Sequence, residues 1–267
     1  MNRILVMSDI HMEFGARFDC PTNTRCTGAI FAGDIDKPVT GALEWLAWQR
    51  DKFLGGVPII YVAGNHEYYG SNIALEREAG RVRAEKLGIH FLDPGSVVID
   101  GVKIIGATLW TDFNLNRRPV TDRKAALRGM NDYRRIKVTL DGKTRTIRPH
   151  YIQGLHKVDR AFIERELANP HDGATIVVTH HAPHPESVVP MYRGEPLSAC
   201  YASDLSDVIE RYQPKLWIHG HDHHHHLYKV GETTIFANPA GYPVAHHGAR
   251  AGERECKEFN PRYIVEV

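Results

Sequence analysis

Asp9 and His11 stand one residue apart just after the apolar run Ile4-Leu5-Val6-Met7, and His221 and His223 repeat that spacing after Leu216-Trp217-Ile218. At the mouth of a strand, residues i and i+2 point the same way, so each pair can offer two side chains to one place. Three more apolar runs end on polar donors. Ala29-Ile30-Phe31-Ala32 leads to Gly33-Asp34, Pro58-Ile59-Ile60-Tyr61-Val62 to Gly64-Asn65-His66-Glu67, and Thr175-Ile176-Val177-Val178-Thr179 to His180 and His181. Carboxyl ends of strands are where open α/β sheets place ligands. Together Asp9, His11, Asp34, Asn65, His180, His221 and His223 supply enough nitrogen and oxygen donors for two metal ions, if one carboxylate bridges.

Mostly imidazole donors favour manganese, iron, cobalt, nickel or zinc over calcium or magnesium, whose sites prefer oxygen. Two divalent ions bring four positive charges and two aspartates return only two. The surplus suits a bridging hydroxide and an anionic substrate. Two metals roughly 3.5–4 Å apart suit in-line displacement at phosphorus, and water on such a metal can reach a pKa of about 7. The sequence accordingly holds no GxSxG and no P-loop.

The elements that must position these donors alternate as an α/β protein should. A helix is expected after Pro38, with Leu43, Leu46, Ala47, Phe53 and Leu54 at helical spacing, and another from about Asn72 to Leu87. The segment after His11 to Thr27 reads as a loop. Val97-Val98-Ile99 and Val102-Lys103-Ile104-Ile105 read as a hairpin joined at Asp100-Gly101. Tyr151 to Leu167 reads as a helix, and Ser203 as the cap of a helix from Asp204 to Tyr212. Thr233 to Ala237 and Tyr263 to Val267 supply closing strands. Gly220, lacking a Cβ, is expected to allow a sharp turn.

Between about 111 and 149 the pattern loosens and arginines accumulate. With too few apolar residues for a core of its own, this stretch reads as an insertion over the site within a single domain spanning 1–267. Asn131, Tyr133, Arg134 and Arg135 are its candidates for substrate binding, since arginine grips phosphate oxygens in a fork. A solvated basic surface is the competing reading.

The chain has 267 residues, 42% hydrophobic and 24% charged, with a net charge of +1. That balance argues against binding a nucleic-acid duplex or an anionic membrane. Its four cysteines form no CxxC pair and no disulfide framework, so reduced thiols in the cytoplasm are expected. No run is long enough to span a membrane, and the N-terminus enters a strand directly, so no signal peptide is expected. Oligomeric state is left open.

The ordered set Asp9-x-His11, Gly33-Asp34, Gly64-Asn65-His66-Glu67, His180 and Gly220-His221-x-His223 resembles the five blocks of the calcineurin-like metallophosphoesterases. The resemblance implies a four-layer αββα sandwich of two mixed β-sheets flanked by helices, and two divalent transition-metal ions, manganese being the choice for loading in vitro. It implies Asp9, His11, Asp34 and His223 on the first ion, and Asp34, Asn65, His180 and His221 on the second, with Asp34 bridging. His66 then binds no metal and acts on the phosphate or leaving group. The Asp-Arg-Gly of the protein phosphatases is missing, since Ile35-Asp36-Lys37-Pro38 follows Asp34. Asp36 is one candidate carboxylate partner for His66. The Gly-Asn-His-Glu and Gly-His-x-His forms together resemble the class III cyclic-nucleotide phosphodiesterase signature. The implied function is a dimetal phosphoester hydrolase, taken as a phosphodiesterase on a small substrate such as a nucleotide, through in-line attack of metal-bound hydroxide. A phosphomonoesterase or protein phosphatase of the same fold is the alternative, and a non-catalytic metal-binding scaffold a further one.

Overall fold

Ile4 and Val6 of the first strand, β1 (Arg3–Met7), enter one apolar cluster, while Leu5 and Met7 enter another. Alternate side chains of a strand leave on opposite faces, so a strand apolar at every position needs cover on both. The computed structural model describes residues 1–15, 17–245 and 252–267, and its layers supply that cover.

β2 (Gly28–Ala32) pairs in parallel with β1, and α1 (Val39–Lys52) leads to β3 (Ile59–Val62), again parallel. α2 (Ile73–Leu87) begins at Asn72, whose side chain accepts from the Ala74 amide at 3.1 Å, and leads to β4 (His90–Phe91) at the sheet edge. β5 (Gly95–Ile99) and β6 (Val102–Ala107) form the expected hairpin at Asp100-Gly101 and open the second sheet.

The stretch 111–149 holds α3 (Pro119–Gly129), the single turn α4 (Asp132–Arg135) and a hairpin of β7 (Lys137–Leu140) and β8 (Lys143–Thr146). Its buried Ala126, Met130, Tyr133, Ile136, Val138 and Ile147 join the cluster on the outer face of the first sheet. α5 (Pro149–Ala168), longer than expected, precedes β9 (Thr175–Thr179).

α6 (Ser206–Tyr212) starts later than expected. Its first turn is tied by the Asp204 carboxylate, which accepts from the Ser206 amide at 3.1 Å. Ser203 instead sits in contact with Asp112 and Thr111. β10 (Leu216–His219), β11 (His226–Val230) and β12 (Thr233–Ala237) complete the second sheet in the order β11-β12-β10-β9-β6-β5. β13 (Ile264–Glu266) returns antiparallel to β1, giving a first sheet ordered β13-β1-β2-β3-β4.

The two mixed sheets face each other across Val6, Ile30, Val62, Ile104, Val178 and Ile218. α1 and α2 cover Phe31 and Tyr61 on one outer face; Ile163, Val208 and Ile209 of α5 and α6 cover Val177 and Trp217 on the other. Each such fully buried side chain contributes about 1.5–3 kcal/mol. The result is the four-layer αββα sandwich. It brings the carboxyl ends of β1, β2, β3, β9 and β10 to one end: the Asp9 amide donates to Gly33 and the Gly220 amide to His180.

Candidate metal centre

Five of the seven expected donors lie in the left-handed region: Asp9 (φ 54), His11 (φ 52), Asp34 (φ 53), His221 (φ 76) and His223 (φ 56). Each such non-glycine residue costs on the order of 1–3 kcal/mol and persists only where its surroundings over-determine it. The turns that follow β1, β2 and β10 are thus held strained, and the strain aims their side chains at one volume.

The donors fall into sets whose ligand atoms lie within 4.8 Å of one another: Asp9, His11 and His223; Asp34, His180 and His221; and His11, Asp34 and His66. Asp34 connects them, with Oδ1 3.4 Å from His180 Nε2 and Oδ2 3.8 Å from His11 Nε2. Asn65 Oδ1 lies 3.2 Å from His180 Nε2. His181 belongs to none of these sets: its Nδ1 lies 3.3 Å from the Thr108 carbonyl and its ring centre 4.1 Å from that of His221.

Three of the histidines are anchored through Nδ1. His180 donates to the Ala32 carbonyl at 2.8 Å, His11 to Glu13 at 3.0 Å and His223 to Glu255 at 2.7 Å. Such anchoring fixes the tautomer and turns Nε2 to the ion. Nε2 of His11 and Nε2 of His223 then face each other at 3.0 Å, two lone pairs that a shared cation satisfies. His221 Nε2 is buried without a hydrogen-bond partner, a costly condition unless something binds there. The residues therefore fit a divalent metal centre.

Electrostatics agree. Burial pulls the pKa of His180 down, but Asp34 and Asp9 outweigh it and raise it to about 9. His223 is likewise raised to about 10, by Asp9 and Glu255 against burial. Asp34, despite burial, is held well below its usual range by His180, His66 and His11. His11 and His221 are instead lowered, chiefly by burial, which favours the neutral imidazole that a metal requires.

Two glycines act by room. A Cβ on Gly220 would lie 2.6 Å from Asp9 Oδ2, and one on Gly64 would collide with the Asp34 carboxylate. Gly220 does not take the left-handed turn itself; His221 and His223 do. The sharp bend expected of that glycine is made by its neighbours, and it permits the close approach of β1's loop.

Residues without an assigned role in the sequence hold the donors in place. Glu67 accepts from the amides of Asp34 (3.2 Å), Ile35 (2.8 Å) and Gly64 (2.9 Å) and from the Tyr61 hydroxyl (2.7 Å), and burial pushes its pKa up to about 8. Asp132, from α4, accepts from Asn65 Nδ2 at 2.9 Å and from the Tyr69 hydroxyl at 2.6 Å. That fixes the Asn65 amide with its oxygen toward His180. The partner of His66 is Glu13, with Oε1 2.7 Å from Nδ1. Asp36 is not: its carboxylate accepts from the Lys37 amide at 2.8 Å. The repeat Asp9-x-His11-x-Glu13 was the available signal.

Of the insertion's four candidates, Asn131 lines the cavity beside the centre and the others do not. Arg134 donates to the Arg128 carbonyl at 2.5 Å, and Arg135 lies 5.6 Å from the Tyr69 ring centre. Tyr133 packs in the core. The histidine run also disperses. His226 Nε2 meets Asp222 at 2.5 Å, His224 Nδ1 meets the Asp222 carbonyl at 2.6 Å, and the His225 ring packs on Phe236 and Tyr263. Among the described residues, no helix is long and apolar enough to cross a membrane.

A family model described as calcineurin-like phosphoesterase matches residues 2–225. An uncharacterized protein of Acanthamoeba polyphaga mimivirus is 22% identical over 299 residues, covering 100% of this chain and 97% of the relative. The crystal structure of phosphopantetheinyl hydrolase from Mycobacterium tuberculosis superposes with a TM-score of 0.66 at 17% identity, covering 90% of this chain and 89% of that one. The fold is shared. A putative 5'-nucleotidase from Staphylococcus aureus has a TM-score of 0.46 at 12% identity, covering 88% of this chain and 48% of that one.

Proposed function

From the premise that the chain belongs to the calcineurin-like phosphoesterases, and so is a metal-dependent phosphoric ester hydrolase, we propose a two-ion centre that cleaves small phosphodiesters. The carrying observation is Asp34, whose carboxylate stands between His11, His66 and His180 and so between both donor sets. Asp9, His11 and His223 would hold one ion, and Asn65, His180 and His221 the other, with Asp34 shared. Bound divalent ions polarise the phosphoryl oxygens and make a water acidic enough to attack near neutral pH.

The chain's residues supply the rest. Water oxygen attacks phosphorus, the bond to the leaving alcohol breaks in line, and that alcohol needs a proton. His66 would give it from Nε2, a role supported by Glu13, which accepts from its Nδ1 and keeps the ring oriented. Burial lowers the His66 pKa, but Asp34 and Glu13 outweigh it, so the protonated ring is favoured. The Tyr242 hydroxyl, 3.3 Å from Nε2, fills that direction until a substrate oxygen replaces it.

Diester preference is supported by the cavity, where no lysine or arginine lines among the described residues; a monoester dianion calls for more cationic donors than a diester monoanion. The unpaired state of Cys20, Cys26, Cys200 and Cys256 supports a reducing, cytoplasmic setting. The test is metal stoichiometry of the manganese-loaded protein together with turnover of aryl phosphodiesters. Two ions per chain with turnover lost on chelation are expected; turnover that survives chelation would overturn the reading.

A further inference from the structure

The cavity over the centre has a volume of about 430 Å³, the size of a small-molecule site. Its floor carries Asp34, Asn65, His221 and His223 of the donor set, with His66 beside them. One wall is the segment after β9, which presents Val188, Val189, Tyr192 and Leu197, and Met130 at the end of α3 also lines it. These walls are packed together: a Cβ on Gly129 would lie 2.8 Å from Leu197.

Tyrosines surround the floor. The Tyr69 ring lies 4.2 Å from His66, Tyr201 4.8 Å from His221, and Tyr242 4.5 Å from His11, centre to centre. Beyond the floor, the charged side chains lining the cavity among the described residues are carboxylates, Glu195, Asp222 and Glu255. Tyr192 is 49% exposed and Leu197 36%, so apolar surface stands in water at the mouth.

We propose that this cavity seats the alcohol portion of the ester, and that the preferred substrate is a small phosphoester of an apolar, ring-bearing alcohol with no second anionic group. This rests on the hydrolase reading above. Aromatic walls bury a ring with large area and little entropy cost. The reacting phosphoryl group has the metal ions as its counter-charge. A second phosphate or carboxylate in the cavity would face carboxylates, so nucleoside polyphosphates and acidic phosphopeptides are selected against, by desolvation and by like charge together.

Two isosteric aryl methyl phosphates, 4-carbamoylphenyl and 4-carboxyphenyl, test this on the manganese-loaded full chain, with each rate referred to its uncatalysed hydrolysis. The neutral ester should win by about tenfold or more in kcat/KM, a discrimination within reach of pocket contacts. Tyr192→Ala should erase most of the advantage of a naphthyl over a phenyl ester, and Tyr192→Phe should keep it. Equal or better turnover of the carboxylate ester, or a naphthyl advantage intact in Tyr192→Ala, would overturn the proposal and leave the hydrolase standing. Should neither ester turn over, the phosphodiesterase reading fails. The ratio of affinities for the two matching aryl methylphosphonates, by calorimetry, then decides the cavity's chemistry alone.

Discussion

Glu13 Oε1 lies 2.7 Å from His66 Nδ1, and the same oxygen is 3.0 Å from His11 Nδ1. One carboxylate thus orients both a proposed metal ligand and the proposed acid. Glu13→Gln keeps the shape and removes the charge, so kcat should fall about 10–100-fold, the usual cost of losing such a partner. The loss should be larger for poor leaving groups than for p-nitrophenolate. In a double-mutant cycle with His66→Ala, the second substitution should add little. Full additivity would place Glu13's effect elsewhere than through His66.

Asp34 touches both donor sets whereas His11 belongs to one side, so the two should fail differently. Asp34→Asn should lose both ions and essentially all turnover. His11→Ala should keep part of its metal, read by elemental analysis of desalted protein. Comparable metal content in the two variants would remove the bridge from the mechanism.

Asp132 holds Asn65 and Tyr69 from α4. Asp132→Ala frees the Asn65 amide to rotate, and manganese affinity should drop about 10–100-fold. Asp132→Asn should recover part of it, since an amide oxygen can still accept from Asn65. Unchanged affinity in Asp132→Ala would reduce this contact to packing.

The same contrast explains what was legible beforehand. Asp9, His11, Asp34, Asn65, His180, His221 and His223 lie within a few residues of the end of an apolar run, and strand ends are local, so they could be collected from the sequence. Asp132 reaches Asn65 from 67 residues away and Glu255 reaches His223 from 32. No local pattern marks an acid that arrives by tertiary packing. Glu13 sits on a short turn whose entry depends on the left-handed His11, a conformation that residue propensity argues against. Arg134 and Arg135 read as phosphate ligands by type, yet backbone hydrogen bonding and the Tyr69 ring occupy them. The Ser203 cap failed for a similar reason: Asp204, one residue on, ties the first turn of α6.

Away from the site, Asp159 accepts from the Leu109 amide at 3.0 Å in a buried setting, and burial pushes its pKa up to about 7 from 3.8. Between those values the folded chain binds a proton that the unfolded chain has released. Stability therefore falls as pH rises from about 4 to about 7 and levels above that. Asp159→Asn keeps the acceptor and removes the titration. It should match the parent near pH 4 and exceed it above pH 7, by on the order of a few kcal/mol at most. Denaturant titrations at pH 5 and pH 8 read this directly; a variant no more stable at pH 8 would show that the carboxyl ionises without cost.

Substrate charge gives the last expectation. Two divalent ions against Asp9 and Asp34 leave a surplus of about two positive charges, which suits a monoanionic diester and the charge that builds on it in the transition state. A monoester dianion gains from further cationic donors. In the cavity the described side chains include no lysine or arginine, and Arg134 and Arg135 lie outside its lining. On one manganese-loaded preparation, kcat/KM for bis-p-nitrophenyl phosphate should exceed that for p-nitrophenyl phosphate, once each is divided by its uncatalysed rate. Near-zero net charge argues that the natural diester is small, because binding along a polynucleotide backbone draws on many lysine and arginine contacts. The salt dependence of kcat/KM should accordingly be shallow. A clear preference for the monoester would refute the diester reading, and would do so without disturbing the donor set built around Asp34.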